Sequence, residues 1–164
     1  MIRTIRHEIE IAATPASVYA FFENIQENYT KWHPDHIVFR WTRGDGLVEG
    51  AVAYSEQRIH GKVHGMPVRF TKVVPAKRVE FELTNPIARF FAPRYLWLFE
   101  ETEGGCRFVA EGDVRLGGIV SRLRHVQQAL AAGRRHLAEE GENLKRLVES
   151  GAARGGHQAL SSAA

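Results

Sequence analysis

Apolar and polar residues alternate along the first segment of the chain, residues 2–12. Ile5, Ile9 and Ile11 fall on one face of this segment, and charged residues fall on the other. Alternation with a period of two is typical of a strand that is buried on one face only. Similar segments, separated by glycine and proline at turns, predict further strands over residues 36–42, 50–60, 63–74, 77–84, 94–101 and 107–115.

Helical spacing of apolar residues occurs in three places. A short helix is predicted over residues 15–23, beginning at Thr14 and Pro15, which suit an N-cap and a first helical turn, and a second short helix or turn is predicted over residues 24–34. A long amphipathic helix is predicted over about residues 118–149. Its apolar stripe recurs three, four or seven positions apart, at Leu123, Val126, Leu130, Leu137, Leu144 and Val148.

Two segments lie outside these patterns. Residues 85–93 join two strands and carry aromatic side chains, so we interpret them as an exposed loop and a candidate lid. Residues 151–164 are small, polar and rich in glycine, which is typical of a disordered tail. With no internal repeat and no second apolar unit, the sequence predicts one domain over residues 1–150, followed by this tail.

The order of the elements predicts the fold class. Six consecutive strands joined by short turns favour an antiparallel sheet, and that sheet has to bury one face. The long helix is the large apolar partner that the sequence offers. We therefore expect an α+β helix-grip fold, in which a seven-stranded antiparallel sheet wraps around the C-terminal helix and leaves a ligand cavity between them. This layout resembles the START/Bet v 1-like (SRPBCC) superfamily over residues 2–149.

Composition narrows the expected partners. The chain has 164 residues, of which 44% are hydrophobic, and its net charge of +3 is spread along the sequence rather than gathered in a patch. We therefore expect a small hydrophobic or aromatic ligand and no nucleic acid. No apolar run reaches the length of a membrane span, so no membrane association is expected. Cys106 is the single cysteine, and a chain without disulfides suits the cytoplasm. A homodimer is left open.

A first group of candidate functional residues lies between the second short helix and the next strand. Tyr29, His33, Asp35 and His36 fall within eight positions there. A histidine at the start of a strand can face a cavity while its neighbours hold the ring. The alternative is a surface loop with two ordinary histidines, and the sequence does not decide which histidine would be the functional one.

A second candidate is Glu56, on the predicted strand 50–60. Side chains alternate across a strand, so Tyr54 and Glu56 share a face. We expect this larger, mixed face to line the cavity, where a buried carboxylate needs a cation or a metal. The alternative is that Glu56 pairs with Arg58 or faces solvent.

The third candidate is a pair on the long helix. His136 and Glu140 are four residues apart, which places them on one helix face, where two such residues can chelate a metal. Gly133 and Gly141 border the apolar stripe beside them and leave room near the helix. The alternative is an exposed pair that contributes little. In a helix grip the helix crosses the sheet, so this pair can face a strand residue such as Glu56, and two histidines with two carboxylates suit zinc or a similar divalent ion.

A narrower resemblance rests on three motifs. They are Tyr29-x-x-Trp32-His33-Pro34-x-His36, then Glu56 followed by Gly61, then His136-x-x-x-Glu140. Together they resemble the diacetylphloroglucinol hydrolase family, zinc-dependent helix-grip enzymes that cleave a carbon–carbon bond between an acyl group and a phenolic ring. The resemblance implies a Zn²⁺ ligand set of His36, Glu56, His136 and Glu140.

Three functions are therefore compatible with the sequence. The first is a metal-dependent hydrolase of a small acylated aromatic or related ketone, in which Tyr29, Tyr54 or Tyr95 manages the proton. The second is a carrier or sensor of an apolar small molecule, which needs only the cavity. The third is a metal-free polyketide cyclase or aromatase. The inward residues expected to line the cavity are Phe81, Leu83, Trp97, Phe99 and Phe108.

Overall fold

The computed structural model describes residues 1–59, 61–118 and 122–161, with side chains as far as Gly151. The elements follow one another in the order β1 (Ile2–Ile11), α1 (Pro15–Glu23), α2 (Ile25–Trp32), β2 (His36–Arg43), β3 (Val52–Ile59), β4 (Lys62–Val74), β5 (Arg78–Leu83), α3 (Pro86–Phe91), β6 (Arg94–Thr102), β7 (Gly105–Arg115) and α4 (Arg124–Ser161). No helix within the described residues is both long enough and apolar enough to cross a membrane.

The strands form one seven-stranded sheet in the order β1-β7-β6-β5-β4-β3-β2. Every neighbouring pair is antiparallel, and each strand from β2 to β6 pairs with the strand that follows it along the chain. β1 closes the far side by pairing with β7, so β1 and β2 are the two edges. The predicted α+β helix-grip fold with its seven-stranded antiparallel sheet is confirmed.

The two short helices pack against one side of the sheet and supply aromatic residues to the core. The hydroxyl of Thr14 caps α1 by accepting a hydrogen bond from the backbone N–H of Ser17, as the sequence predicts. Phe22 is fully buried and stacks on Phe108 of β7, with ring centroids 5.4 Å apart. Trp32 of α2 contacts Phe22 edge to face. This cluster fixes α2, and with it the segment that carries the candidate histidines.

The long helix α4 lies across the sheet near β1. Gly141 is buried against His7, and a Cβ atom at this position would come within 2.8 Å of the His7 ring. A Cβ atom here would displace the His7 ring, so glycine allows the helix and the strand to approach with that ring in place. Gly133 stands over Ile5 in the same way, at 3.1 Å. The glycines that the sequence places beside the apolar stripe therefore make room for β1.

The structure differs from the sequence interpretation in two elements. Residues 86–91 form a short helix rather than a loop, because the Asn85 side chain caps the N–H groups of Ile87 and Ala88. The exposure of its aromatic residues is confirmed, since Phe90 and Phe91 are both more than half exposed. The long helix is described from Arg124 rather than residue 118; residues 119–121 lie outside the described ranges. Its backbone continues to Ser161, and the domain boundary at residue 150 stays a prediction.

Candidate functional site

A cavity of about 130 Å³ lies between the sheet and α4. Its wall is mainly apolar and includes Ile25, Phe39, Val68, Phe70, Phe81 and Trp97. Polar side chains enter the wall at Tyr29, Ser55, Gln57, Tyr95, Glu111, His136 and Glu140. An apolar enclosure with a few converging polar groups is the usual form of a small-molecule site.

A β-bulge aims His36 at the interior. The pairing of β2 with β3 shifts register between His36 and Val38, so Ile37 is an extra residue in the strand. If residues 36–39 formed a regular strand, His36 would share the outer face with Val38, because faces alternate along such a strand. Because Ile37 bulges out of the ladder, His36 instead joins the inner face of Phe39 and is 5% exposed. The ring also stacks on Tyr29, with centroids 4.0 Å apart and an angle of 5° between the planes.

The helical pair His136 and Glu140 meets His36 at the cavity wall. Oε1 of Glu140 lies 2.9 Å from Nε2 of His36 and 3.2 Å from Nε2 of His136. The Glu140 side chain is only 12% exposed. Trp32 donates from its ring N–H to the Glu140 backbone carbonyl at 2.9 Å, which ties α2 to α4 at this point. We refer to His36, His136 and Glu140 as the inner cluster.

Hydrogen bonds leave a nitrogen of each inner-cluster histidine facing Glu140. Nδ1 of His36 lies 3.1 Å from the backbone carbonyl of Tyr29, which can only accept, so this nitrogen carries a proton. Nε2 of the same ring then faces the carboxylate. Nε2 of His136 is buried and has no hydrogen-bond partner among the described residues, since its contact with Glu140 lacks hydrogen-bond geometry.

His33 lies next to the inner cluster, but both of its ring nitrogens are engaged. Nδ1 accepts from the backbone N–H of Asp35 at 3.1 Å, so the proton of the neutral ring is on Nε2, 3.1 Å from a carboxylate oxygen of Glu139. Its ring centroid is 4.4 Å from that of His136. His33 also borders an open groove between α2 and α4. Of the two histidines that the sequence left open, His36 is the one whose ring contacts Glu140, whereas His33 contacts Glu139.

The charges of the inner cluster support one another. Burial raises the pKa of Glu140, but the contacts with His136 and His36 lower it further, and the net result is a pKa of about 2. Burial lowers the pKa of His136, while Glu140 and the more distant carboxylates raise it, and the net direction is upward. Glu140 is therefore a carboxylate at neutral pH, and it favours a proton on His136.

The donor set of the inner cluster fits a divalent metal. Ligands of tetrahedral zinc are about 3.3 Å apart at usual bond lengths, and the Glu140 oxygen lies 2.9 and 3.2 Å from the two histidine nitrogens. The bond from Nδ1 of His36 to a backbone carbonyl is the usual outer contact of a ligating histidine. Ligand atoms of His33, His36 and His136 also lie within 4.8 Å of one another. Three of the predicted ligands thus come together.

The fourth predicted ligand, Glu56, does not join them, and the choice of strand face is wrong. β3 turns Ala53, Ser55 and Gln57 inward, so Tyr54 and Glu56 lie on the outer face of the sheet. There the Tyr54 hydroxyl donates to Glu56 at 2.8 Å and the guanidinium of Arg40 stacks over the Tyr54 ring. The small residues of β3 face the cavity because they leave space, whereas the larger residues can extend into solvent.

The other two predicted tyrosines do line the cavity. Tyr29 is 5% exposed, and burial raises its pKa well above the ordinary value. Burial also raises the pKa of Tyr95. Both therefore remain neutral hydroxyls at physiological pH. Of the expected apolar lining, Phe81, Leu83 and Trp97 contribute to the cavity wall.

Sequence reasoning missed two polar residues of the cavity, Ser55 and Gln57. The signal that could have found them is the residue size on β3: Ala51, Ala53 and Ser55 alternate with larger residues, and small residues suit the concave side of a sheet that holds a helix.

Comparisons with known proteins agree with this architecture. The KanY protein, solved by NMR, is 20% identical with a TM-score of 0.71 and matches 91% of this chain and 99% of its own. The Zhui aromatase/cyclase from Streptomyces sp. R1128 is 14% identical with a TM-score of 0.70, over 91% and 94% of the two chains. Ara h 8.0201 is 14% identical with a TM-score of 0.66, over 92% and 99%. These likenesses show the shared fold.

Among curated proteins, none matches the sequence. A family model does match, over residues 3–149, and it covers every strand and most of α4. The chain therefore belongs to the family described as polyketide cyclase/dehydrase and lipid transport.

Proposed function

We propose that this protein binds a small aromatic or polyketide-like ketone in the cavity and catalyses proton transfer on it, as a cyclase or aromatase does. The observation that carries the proposal is the pair His136 and Glu140, which lines an apolar enclosure while Glu140 contacts the buried His36. Support also comes from the family and from the likeness to an aromatase/cyclase. A carrier would need the apolar wall, but it has no need of a buried carboxylate between two imidazoles.

The inner cluster suits proton abstraction next to a carbonyl. The unpartnered Nε2 of His136, when unprotonated, takes a proton from the carbon beside the ketone. Glu140 stabilises the imidazolium that forms, because its pKa of about 2 keeps it negatively charged. The carbon attacks a second carbonyl of the ligand, and the proton returns to the new alkoxide oxygen.

An exchange measurement tests this proposal without knowledge of the natural substrate. The probe is 4-hydroxyacetophenone in D₂O, and NMR follows the replacement of its acetyl hydrogens by deuterium. Wild type is expected to accelerate the exchange, and His136→Gln is expected to reduce it to the buffer rate. His125→Gln is the matched control, since His125 is an exposed histidine on the same helix. A bound probe that exchanges no faster than in buffer would favour a carrier instead.

A zinc-dependent hydrolase is the second candidate, and the two histidine nitrogens aimed at Glu140 favour it. His36, His136 and Glu140 would hold the ion, and zinc would polarise a ligand carbonyl or activate water. This chain's residues would orient the acylated ring against the apolar wall. Metal analysis of purified protein tests the candidate: one equivalent of zinc lost in Glu140→Gln supports it. Metal-free protein whose Tm is unchanged by added zinc excludes it.

A further inference from the structure

Gln57 occupies a distinctive position beside the inner cluster. It is the direct partner of His36 in the β2–β3 ladder. Residues directly opposite each other in an antiparallel pair point to the same face, with Cβ atoms about 5 Å apart. Gln57 accordingly lines the cavity. A neutral carboxamide therefore stands on the strand side of the site, one position from the carboxylate that the sequence pattern favoured.

The hydrogen-bonding capacity of Gln57 is largely unused. Its Nε2 donates to the thioether sulfur of Met66 at 3.4 Å, and sulfur is a weak acceptor. Its Oε1 accepts no hydrogen bond from any residue in the described part of the chain. A half-buried amide with this deficit gains from a ligand that can both donate and accept.

Two other polar residues on the strand side of the cavity wall, Ser55 and Glu111, are already engaged. The Ser55 hydroxyl donates to the backbone carbonyl of Met66 at 3.2 Å. Glu111 is held by Arg6 at 2.7 Å. Of the two polar residues of β3 that line the cavity, Gln57 is therefore the one left to bind a ligand.

We propose that Gln57 determines specificity by binding a hydroxyl group on the ligand's ring, and that the substrates are hydroxylated aromatic ketones rather than purely apolar ones. This rests on the proposed function, since it assumes that the cavity takes an aromatic ketone. A phenolic hydroxyl matches the amide, because it donates to Oε1 while it accepts from Nε2. A methyl group of similar size in its place leaves both atoms unpaired.

The test compares two probes of nearly equal shape, 4-hydroxyacetophenone and 4-methylacetophenone. Their Kd values are measured by calorimetry with wild type, Gln57→Leu and the control Met66→Leu. Wild type should bind 4-hydroxyacetophenone about tenfold more tightly than 4-methylacetophenone, a ratio typical of one good hydrogen bond. In Gln57→Leu the preference should disappear while 4-methylacetophenone binds at least as well as before. Met66→Leu keeps the volume and should keep the preference.

The outcomes separate the two proposals. If both probes bind and Gln57→Leu retains the wild-type preference, the role of Gln57 is overturned while the cavity proposal stands. If neither probe binds wild type, the proposed function fails and the role of Gln57 falls with it. Thermal melts of each variant show that a lost preference does not come from a lost fold.

Discussion

The neighbouring strands β2 and β3 place their candidate residues on opposite faces of the sheet. At the start of β2, an extra residue at Ile37 turns His36 inward, against the alternation of the strand. On β3 the alternation is regular, so Glu56 stays on the outer face with Tyr54. His36 is buried against Glu140, while Glu56 forms a partly exposed pair that the cavity does not include. The face of a strand residue therefore depends on local register, and one bulge decides whether a histidine belongs to the site.

The largest expected effect comes from removing the inward carboxylate. Glu140→Ala leaves Nε2 of His36 buried without its partner, which should lower the free energy of unfolding by about 3 kcal/mol. Proton exchange on 4-hydroxyacetophenone should also stop. Urea denaturation and NMR exchange give the two readouts. Equal stability of Glu140→Ala and wild type would mean that the inner cluster is not formed in solution.

The pH dependence of the free energy of unfolding should report the ionisation of Glu140. The folded-state pKa of Glu140 is about 2, below the ordinary 4.5. Its contribution is therefore complete above pH 4.5 and is lost as the pH falls towards 2. Between pH 5 and pH 2, wild type should lose about 3 kcal/mol more stability than Glu140→Gln. Denaturation curves at fixed pH values measure this difference, and parallel losses in the two proteins would contradict it.

Deletion of Ile37 should separate the inward position of His36 from the bulge itself. The shortened strand alternates regularly, so His36 directly precedes Val38 and stays on the inner face opposite Gln57. The connection from α2 into β2 is one residue shorter, so we expect a loss of about 1–3 kcal/mol in stability, typical of a damaged core contact, while proton exchange is kept. Ile37→Ala is the control, because it shortens the side chain and keeps the bulge; its exchange rate should match wild type. A folded deletion variant without proton exchange would contradict the pairing of His36 with Gln57.

The smallest effect is expected on the outer face. The hydrogen bond to Glu56 is the largest cause of the raised pKa of Tyr54. Glu56→Gln should therefore return the pKa of Tyr54 towards its ordinary value, with activity unchanged. Ultraviolet titration of the phenol, with Tyr54→Phe to identify its signal, measures the shift. A loss of proton exchange in Glu56→Gln would mean that Glu56 takes part in the activity after all.

The sequence predicted those parts of the site that depend on local spacing. His136 and Glu140 share a helix face because four residues complete about one turn, whatever the surroundings. The face predicted for Glu56 was wrong because alternation groups residues into two faces without saying which one is buried. Tertiary packing decides which face is buried, because the small residues of β3 make room under the helix. His36 was placed inward without knowledge of the bulge that puts it there, since no turn residue marks Ile37.

The fold itself followed from the order and period of the elements, which need no side-chain detail. The exception is α3, because the aromatic residues of 85–93 led to the prediction of an exposed loop where the structure has a capped helix. Asn85 and Pro86 are a cap and a first-turn residue of the same kind as Thr14 and Pro15, which were recognised. The difference is length, because a helix of six residues shows less than two turns of spacing.

A crystal structure with 4-hydroxyacetophenone tests the central claim most directly. The account predicts that the ring lies in the cavity, with the ketone oxygen or its neighbouring carbon against Nε2 of His136 and the hydroxyl at Gln57. His36 and Glu140 should remain in contact, and Glu56 should remain on the outer face. A ligand bound elsewhere, or a structure in which Glu56 replaces Gln57 in the cavity wall, would contradict the account.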